Sequence, residues 1–301
     1  MVSTAVELDL RQLSGTIGAE ILGLDLTEPL DADTVAAVRA AWLRHKVVFF
    51  PGAQLSAEQH VAFARQFGEP TPAHPLVPGI EGHPEIFEID YGAAGMRPSD
   101  GDRRAFRVER GVPWHTDVTF VERPPMGSIL NAVEIPPAGG DTMWCDQQAA
   151  YEGLSERMRS FLDGLTASHE SGRAFKAYGE LPPVVHPVVR THPETGRRGL
   201  FVNPQFTTHI VELDVEEGDA LLSFLYRHAT KPEYVVRYHW REGDLGWWDN
   251  RATQHAVVGD FGTHARVIQR VTLEGDRPYG VAGTPPRSQK PRSDGVGVIA
   301  A

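Results

Sequence analysis

The sequence predicts a mainly β fold with α elements, a double-stranded β-helix (jelly-roll) barrel flanked by helices. Three observations lead there. Short runs rich in Val, Ile, Phe, Thr and Trp recur along the chain and are closed by turns such as Pro51-Gly52 and Pro136-Pro137-Ala138-Gly139-Gly140. Helical periodicity appears in only a few stretches between them. The 301 residues, 41% hydrophobic and 23% charged, are enough to bury a full core.

The elements follow in order. Residues 6–13 and 17–26 alternate as strands on either side of Ser14-Gly15. Asp31-Ala32-Asp33 caps a helix in which Val35, Val38 and Trp42 fall at helical spacing. Lys46-Val47-Val48-Phe49-Phe50 reads as a strand of the buried type. Ser56 caps a second helix, whose apolar stripe is anchored by Phe63 and Phe67. A strand is expected over 85–91. Residues 92–111 are rich in Gly, Arg and Asp without periodicity, and read as a long mobile loop and a candidate lid. Strands follow at 128–134 and 141–145, with two helices within 147–165. The strand pattern returns at 185–191, 199–202, 235–240, 244–248 and 267–273, interrupted by a helix over 216–228. One jelly-roll domain is expected over 1–280. Residues 281–301, with Pro285-Pro286-Arg287 and Lys290-Pro291-Arg292, are expected to form a disordered tail.

Composition excludes several classes. A net charge of −11 with no Lys/Arg run argues against nucleic acid and against an acidic membrane surface as partners. The single cysteine, Cys145, excludes an internal disulfide and a Cys-rich zinc site, and suits a reducing cytoplasm. The amino-terminal residues carry neither a basic region nor a long apolar core, and no apolar run approaches a membrane span of roughly 18 residues.

The run Trp114-His115-Thr116-Asp117-Val118-Thr119-Phe120 carries the chemistry. In an extended segment the side chains of His115 and Asp117, two apart, point to one face and can grip one cation. His255 can supply a third ligand. Two His and one carboxylate make the facial triad of non-haem Fe(II) oxygenases, which leaves positions open for a cosubstrate and O2. His83-Pro84-Glu85 and His192-Pro193-Glu194 are formal rivals, but each places Pro between its two donors, and the second reads as a turn. Downstream, Arg266, Ile268 and Arg270 alternate with Val267, Gln269 and Val271, so a strand points both guanidiniums to one face. If that face lines a barrel, the arginines need anionic partners, and their planar forks suit carboxylate or sulfonate oxygens. The same alternation also fits an exposed sheet face paired with surface acids.

Together these features resemble the Fe(II)/2-oxoglutarate-dependent dioxygenases of the taurine/2,4-D dioxygenase family. Further similarity lies in Gly139-Gly140-Asp141-Thr142, His186-Pro187-Val188-Val189-Arg190, Phe206-Thr207-Thr208, Thr230-Lys231-Pro232-Glu233 and Trp248-Asp249-Asn250-Arg251. The resemblance implies His115, Asp117 and His255 as iron ligands. It implies Thr142 and Arg266 as the grip on the distal carboxylate of 2-oxoglutarate. It also implies His74, Arg270, Val118 and Phe206 as contacts to a small anionic substrate. The chain departs from the taurine branch at Val77 and Gly111, where that branch carries Tyr and Asn as polar substrate contacts. The implied reaction consumes 2-oxoglutarate and O2 and hydroxylates the carbon beside the sulfonate of taurine or a related small sulfonate. The products are sulfite, an aldehyde, succinate and CO2. An alkyl sulfate ester or another small acid is the alternative substrate, and a homodimer or homotetramer the implied assembly. A zinc hydrolase on the same three ligands is the rival from another class, and it gives no reason for two arginines on one strand face. A non-catalytic binding protein on the same fold is a further alternative, which failure to hold Fe(II) or to take up O2 would favour.

Overall fold

The structure is a computed structural model that describes residues 6–91, 111–171, 179 and 181–281. The expected lid over 92–111, apart from Gly111, and the expected tail, apart from Val281, lie outside these residues.

Two sheets form the barrel. The larger has seven strands in the order β1 (Asp9–Gln12), β2 (Ala19–Leu22), β3 (Val47–Phe50), β14 (Leu245–Asp249), β6 (Gly127–Glu134), β16 (Val267–Leu273) and β4 (Ile86–Asp90). The smaller has four, in the order β13 (Val235–Tyr238), β7 (Thr142–Asp146), β15 (Thr253–Val258) and β5 (Gly111–His115). Apart from β1, β2 and β3, which follow one another in sequence, neighbouring strands in both sheets are far apart in sequence, as a jelly roll requires.

The long apolar runs have a geometric reason: the central strands of the large sheet, β3 and β14, are buried on both faces. In β3, Val47 and Phe49 point into the barrel, where they meet Trp144, Val236, Tyr238, Trp240, Trp248 and Ile268. Val48 and Phe50 point the other way, toward helices α1 (Ala32–His45) and α2 (Ala57–Arg65), and pack with Val38, Trp42, Phe63 and Phe67. β14 repeats the division, Trp248 facing inward and Trp247 stacking on Trp42 at 4.1 Å between ring centroids. With neither face wet, the polar half of the usual alternation disappears. The helix starts match expectation, Asp31 accepting from the Thr34 amide and Ser56 forming a capping box with Gln59.

A second layer flanks the barrel mouth. It consists of the sheet β12 (Thr207–Ile210), β8 (Thr166–His169), β9 (Val184–Pro187), the hairpin β10 (Val189–Thr191) and β11 (Arg198–Leu200), and helices α3 (Gln147–Glu152), α4 (Glu156–Leu162) and α5 (Val215–Ala229). They share a core including Leu162, Val188, Leu200, Leu222 and Leu225.

The differences from expectation are local. The strand expected over 17–26 shrinks to Ala19–Leu22, between Gly18 (φ 89°) and Gly23 (φ 74°), whose backbones leave the extended region. β8, β12 and β15 were not anticipated: Thr-Ala-Ser-His and Thr-Gln-His-Ala-Val-Val carry polar residues at buried positions, and Thr-Thr-His-Ile is a short edge strand with a single buried apolar residue, Ile210, so none shows the apolar pattern.

Phe49 stacks on Tyr238 at 3.8 Å and meets Trp144 and Trp240 edge-on, joining the two sheets. Phe49→Ala is expected to lower stability by about 3–5 kcal/mol, read as a shift in the urea unfolding midpoint. A loss under 1 kcal/mol would mean the sheets are not held together there.

Candidate metal centre and its anion pocket

β5 and β15 pair antiparallel with His115 directly opposite His255, so the sheet register brings the two imidazoles together, ring centroids 4.1 Å apart. The chain then leaves the sheet: His115 is the last residue of β5, and residues 117–120 form a turn. The extended segment read from the sequence therefore ends at His115, and Val118 adopts φ 55°. A β-branched residue there costs of order 1–3 kcal/mol and persists only where its surroundings impose it.

Those surroundings are specific. Asn250, in the turn between β14 and β15, accepts from the Asp117 amide (2.8 Å) and donates to the Asp117 and Pro125 carbonyls (2.9 and 3.0 Å). The Thr116 hydroxyl donates to the Thr253 carbonyl at 2.8 Å. On the far side His186 Nε2 donates to the Thr119 carbonyl at 2.9 Å, and Asn203 Nδ2 donates to the Thr119 hydroxyl at 3.2 Å. Both ends of the strained residue are thus pinned.

The result is a three-ligand set. Donor atoms of His115, Asp117 and His255 lie within 4.8 Å of one another, all three residues buried, and no other such group occurs among the described residues. His115 Nε2 is 3.6 Å and His255 Nε2 4.0 Å from Asp117 Oδ1. The His115 Nδ1–H donates to the Pro113 carbonyl at 2.8 Å, which leaves the Nε2 lone pair facing the carboxylate. Burial alone would raise the Asp117 pKa, but Arg270, then His255 and His115, outweigh it and hold the carboxyl well below the usual range. Burial, followed by the neighbouring His115, pushes His255 well below the ordinary histidine value. Two imidazoles beside an ionised carboxylate form the donor set a divalent cation needs.

The remaining expected residues line the same cavity, together with Phe87, Ile89, Tyr91, Phe120, Leu130, Gln205, Trp248 and Val257. Arg266 and Arg270 point inward, only 2% and 6% exposed, which removes the exposed-face reading. Arg266 donates to the Gly140 carbonyl (2.9 Å) and the Thr142 hydroxyl (3.3 Å), and burial depresses its pKa. Thr142 also accepts from Trp240 Nε1 at 2.9 Å. Arg270 Nη1 donates to Asp117 Oδ1 at 2.6 Å, and Ser128 donates to Oδ2 at 2.7 Å. Arg270 Nε is buried without a partner. His74 Nδ1 accepts the Leu76 amide, so its ring proton sits on Nε2, and burial, then Arg270, pushes its pKa down to about 4. Val118, Phe120 and Phe206 pack as one apolar wall, with Phe206 edge-on to His115 at 5.9 Å.

The rival motifs are engaged otherwise. His192 Nε2 meets Asp249 at 2.8 Å, while Glu194 takes Arg251 and Arg39. His83 lies beside Glu58 and Glu85 pairs with Arg65. Sequence reasoning missed Asn250, Ser128, Tyr91 and Gln205. Asn250 lies inside the quoted Trp248-Asp249-Asn250-Arg251 run, and that motif was the available signal. A groove elsewhere, beside α3 and α4, holds Arg198 paired with Asp163 and Tyr151, and contains no His or Cys donor.

Because Asn250 fixes the backbone of the carboxylate ligand without touching the cation, Asn250→Ala should weaken divalent-metal affinity about 10–100-fold. Titration with Co(II) checks it. Unchanged affinity would remove Asn250 from the account.

The comparisons agree with this geometry. The family model described as "Taurine catabolism dioxygenase TauD, TfdA family" matches residues 9–272. An alpha-ketoglutarate-dependent sulfate ester dioxygenase of Pseudomonas putida is 40% identical over 300 residues, 93% of each chain. An alkylsulfatase of Acinetobacter baylyi is 38% identical over 95% of this chain and 91% of its own. A solved structure titled as a putative alpha-ketoglutarate-dependent taurine dioxygenase from Burkholderia xenovorans superposes with a TM-score of 0.81. It is 44% identical, covering 93% of this chain and 97% of that one. A jelly roll whose strand register assembles the His-Asp-His set, matched by this family model over nearly its whole length, belongs to the taurine catabolism dioxygenase TauD, TfdA family.

Proposed function

We propose that this chain is an Fe(II)- and 2-oxoglutarate-dependent dioxygenase that oxidises the carbon bearing the sulfo head of a small organosulfur anion. The carrying observation is the joining, in one buried cavity, of the His115-Asp117-His255 donors with two inward-facing arginines. His115, Asp117 and His255 would hold the iron. The bound iron, with 2-oxoglutarate and O2, supplies the oxidising chemistry and yields succinate and CO2.

The protein's own residues bind and orient. Arg266 and Thr142, joined by a hydrogen bond on the barrel wall, would take the distal carboxylate of 2-oxoglutarate. Arg270 has one arm on Asp117 and a buried, unspent Nε–H, and would give that donor to the sulfo oxygens. His74, neutral with its proton on Nε2, would add a second, uncharged donor. Val118 and Phe206 would bound the substrate carbon, excluding water from the reacting centre. Once the carbon beside the head is hydroxylated, the bond to sulfur in a sulfonate, or to ester oxygen in a sulfate, breaks as the hydroxyl proton leaves. An aldehyde results, with sulfite or sulfate. The apolar wall of Val118, Phe120, Phe206, Phe87 and Ile89 favours an uncharged organic tail over taurine, as does the loss of the taurine-branch Tyr at Val77. The sulfate ester dioxygenase and alkylsulfatase relatives favour a sulfate ester as the head. We take residues 1–280 as one catalytic domain. The single buried Cys145 fits a cytoplasmic setting, and no described helix is long and apolar enough to cross a membrane.

O2 uptake and succinate, measured with sulfite and sulfate assays over alkyl sulfates, alkanesulfonates and taurine, test the reading. Substrate-dependent succinate with stoichiometric release of one sulfur oxyanion is expected. Succinate formation unaffected by every organosulfur anion would contradict it. Arg266→Ala should raise the KM for 2-oxoglutarate about 10–100-fold. Arg270→Ala should cut sulfur release at least about tenfold while substrate-independent succinate persists. Parallel loss of both activities would place Arg270 in metal assembly instead.

A further inference from the structure

Four polar atoms in the cavity wall are buried without a hydrogen-bond partner: Trp248 Nε1, His255 Nδ1, Arg270 Nε and Gln205 Oε1. The first three are nitrogens. Gln205 Oε1 is the one oxygen, and neither the metal centre nor the cationic grips use it. Its backbone is held firmly. Gln205 sits just before β12, where Asn203 Oδ1 accepts the Phe206 amide at 2.9 Å and the Asn203 amide donates to the Thr207 hydroxyl at 2.9 Å. Phe206 packs on Phe120 at 5.0 Å, and half-buried Gln205 lines the cavity next to this apolar wall.

A carbonyl oxygen removed from water and left unpaired is costly, and at the wall of a ligand cavity a bound molecule can supply the missing donor. We propose that Gln205 is a specificity-determining residue whose side-chain carbonyl accepts a hydrogen bond from a hydroxyl on the organic tail of the substrate. The proposal rests on reading the cavity as the organosulfur-anion site. The charge around it selects the kind of donor. Arg266 and Arg270 face the same cavity, and Asp117, the one carboxylate in its described lining, is already taken by Arg270 and Ser128. A buried ammonium would need a free carboxylate and would meet two guanidiniums. A hydroxyl satisfies Gln205 without adding charge. The tail therefore runs from the cationic head site along Phe120 and Phe206 and ends in, or carries, a neutral hydroxyl.

The test uses the full chain with Fe(II), 2-oxoglutarate and O2, and an n-alkyl sulfate paired with its hydroxyl-bearing counterpart of equal chain length. Wild type should show kcat/KM about tenfold higher for the hydroxylated member, the worth of one hydrogen bond. Gln205→Leu should bring the two within about twofold. Gln205→Glu, which supplies a carboxylate, should raise relative turnover of an ammonium-bearing homologue at least about tenfold. Equal wild-type rates on the pair, or a preference that survives in Gln205→Leu, overturns the role of Gln205 and leaves the proposed reaction standing. Absence of turnover on any organosulfur anion overturns the reaction itself, and this proposal with it.

Discussion

A single buried negative charge organises the barrel mouth. The Asp117 carboxylate is shared by Arg270 and Ser128, faces two imidazoles, and hangs from a turn whose Val118 backbone is left-handed. Removing such a charge from water is expensive unless every neighbour is arranged to receive it. Much of the surrounding polar structure serves that arrangement. Asn250 and Thr253 fix the turn from one side, His186 and Asn203 from the other.

The turn between β14 and β15 is itself locked by a buried ionic lattice. Asp249 accepts from Arg251 and meets His192, while Arg251 reaches Glu194 and lies over the Trp42 ring. The indole of Trp42 stacks on Trp247 in the helix-side core. Packing between α1 and the large sheet is thereby connected to the position of Asn250, and through it to the metal ligand. The strain stored at Val118 is offset by this lattice, which explains how a site this polar survives inside an apolar barrel.

Local spacing and the family resemblance together made the site legible. The two-residue spacing announced the His115-Asp117 pair, although the extended backbone assumed for it ends at His115. Alternation put Arg266 and Arg270 on one face without saying which way it looks. The other expected residues came chiefly from the resemblance, and all nine line one cavity. The reading failed where long-range contact overrides local preference. Val118 belongs to a residue type that favours strands, yet it sits in a turn imposed by partners more than a hundred residues away in sequence for Asn250. β15 escaped notice because Thr253, Gln254 and His255 are buried polar residues, and a strand that lines a reactive cavity loses the apolar signature. Ser128 and Gln205 gave no local signal, since their importance lies in which pocket they face.

The central claim is that one cation and one keto acid share this cavity. The direct measurement is anomalous diffraction from crystals loaded anaerobically with Fe(II) and 2-oxoglutarate. The account predicts one iron peak enclosed by His115, Asp117 and His255, with the distal carboxylate of the keto acid on Arg266 and Thr142. Iron bound elsewhere, or a keto acid turned away from Arg266, would contradict it.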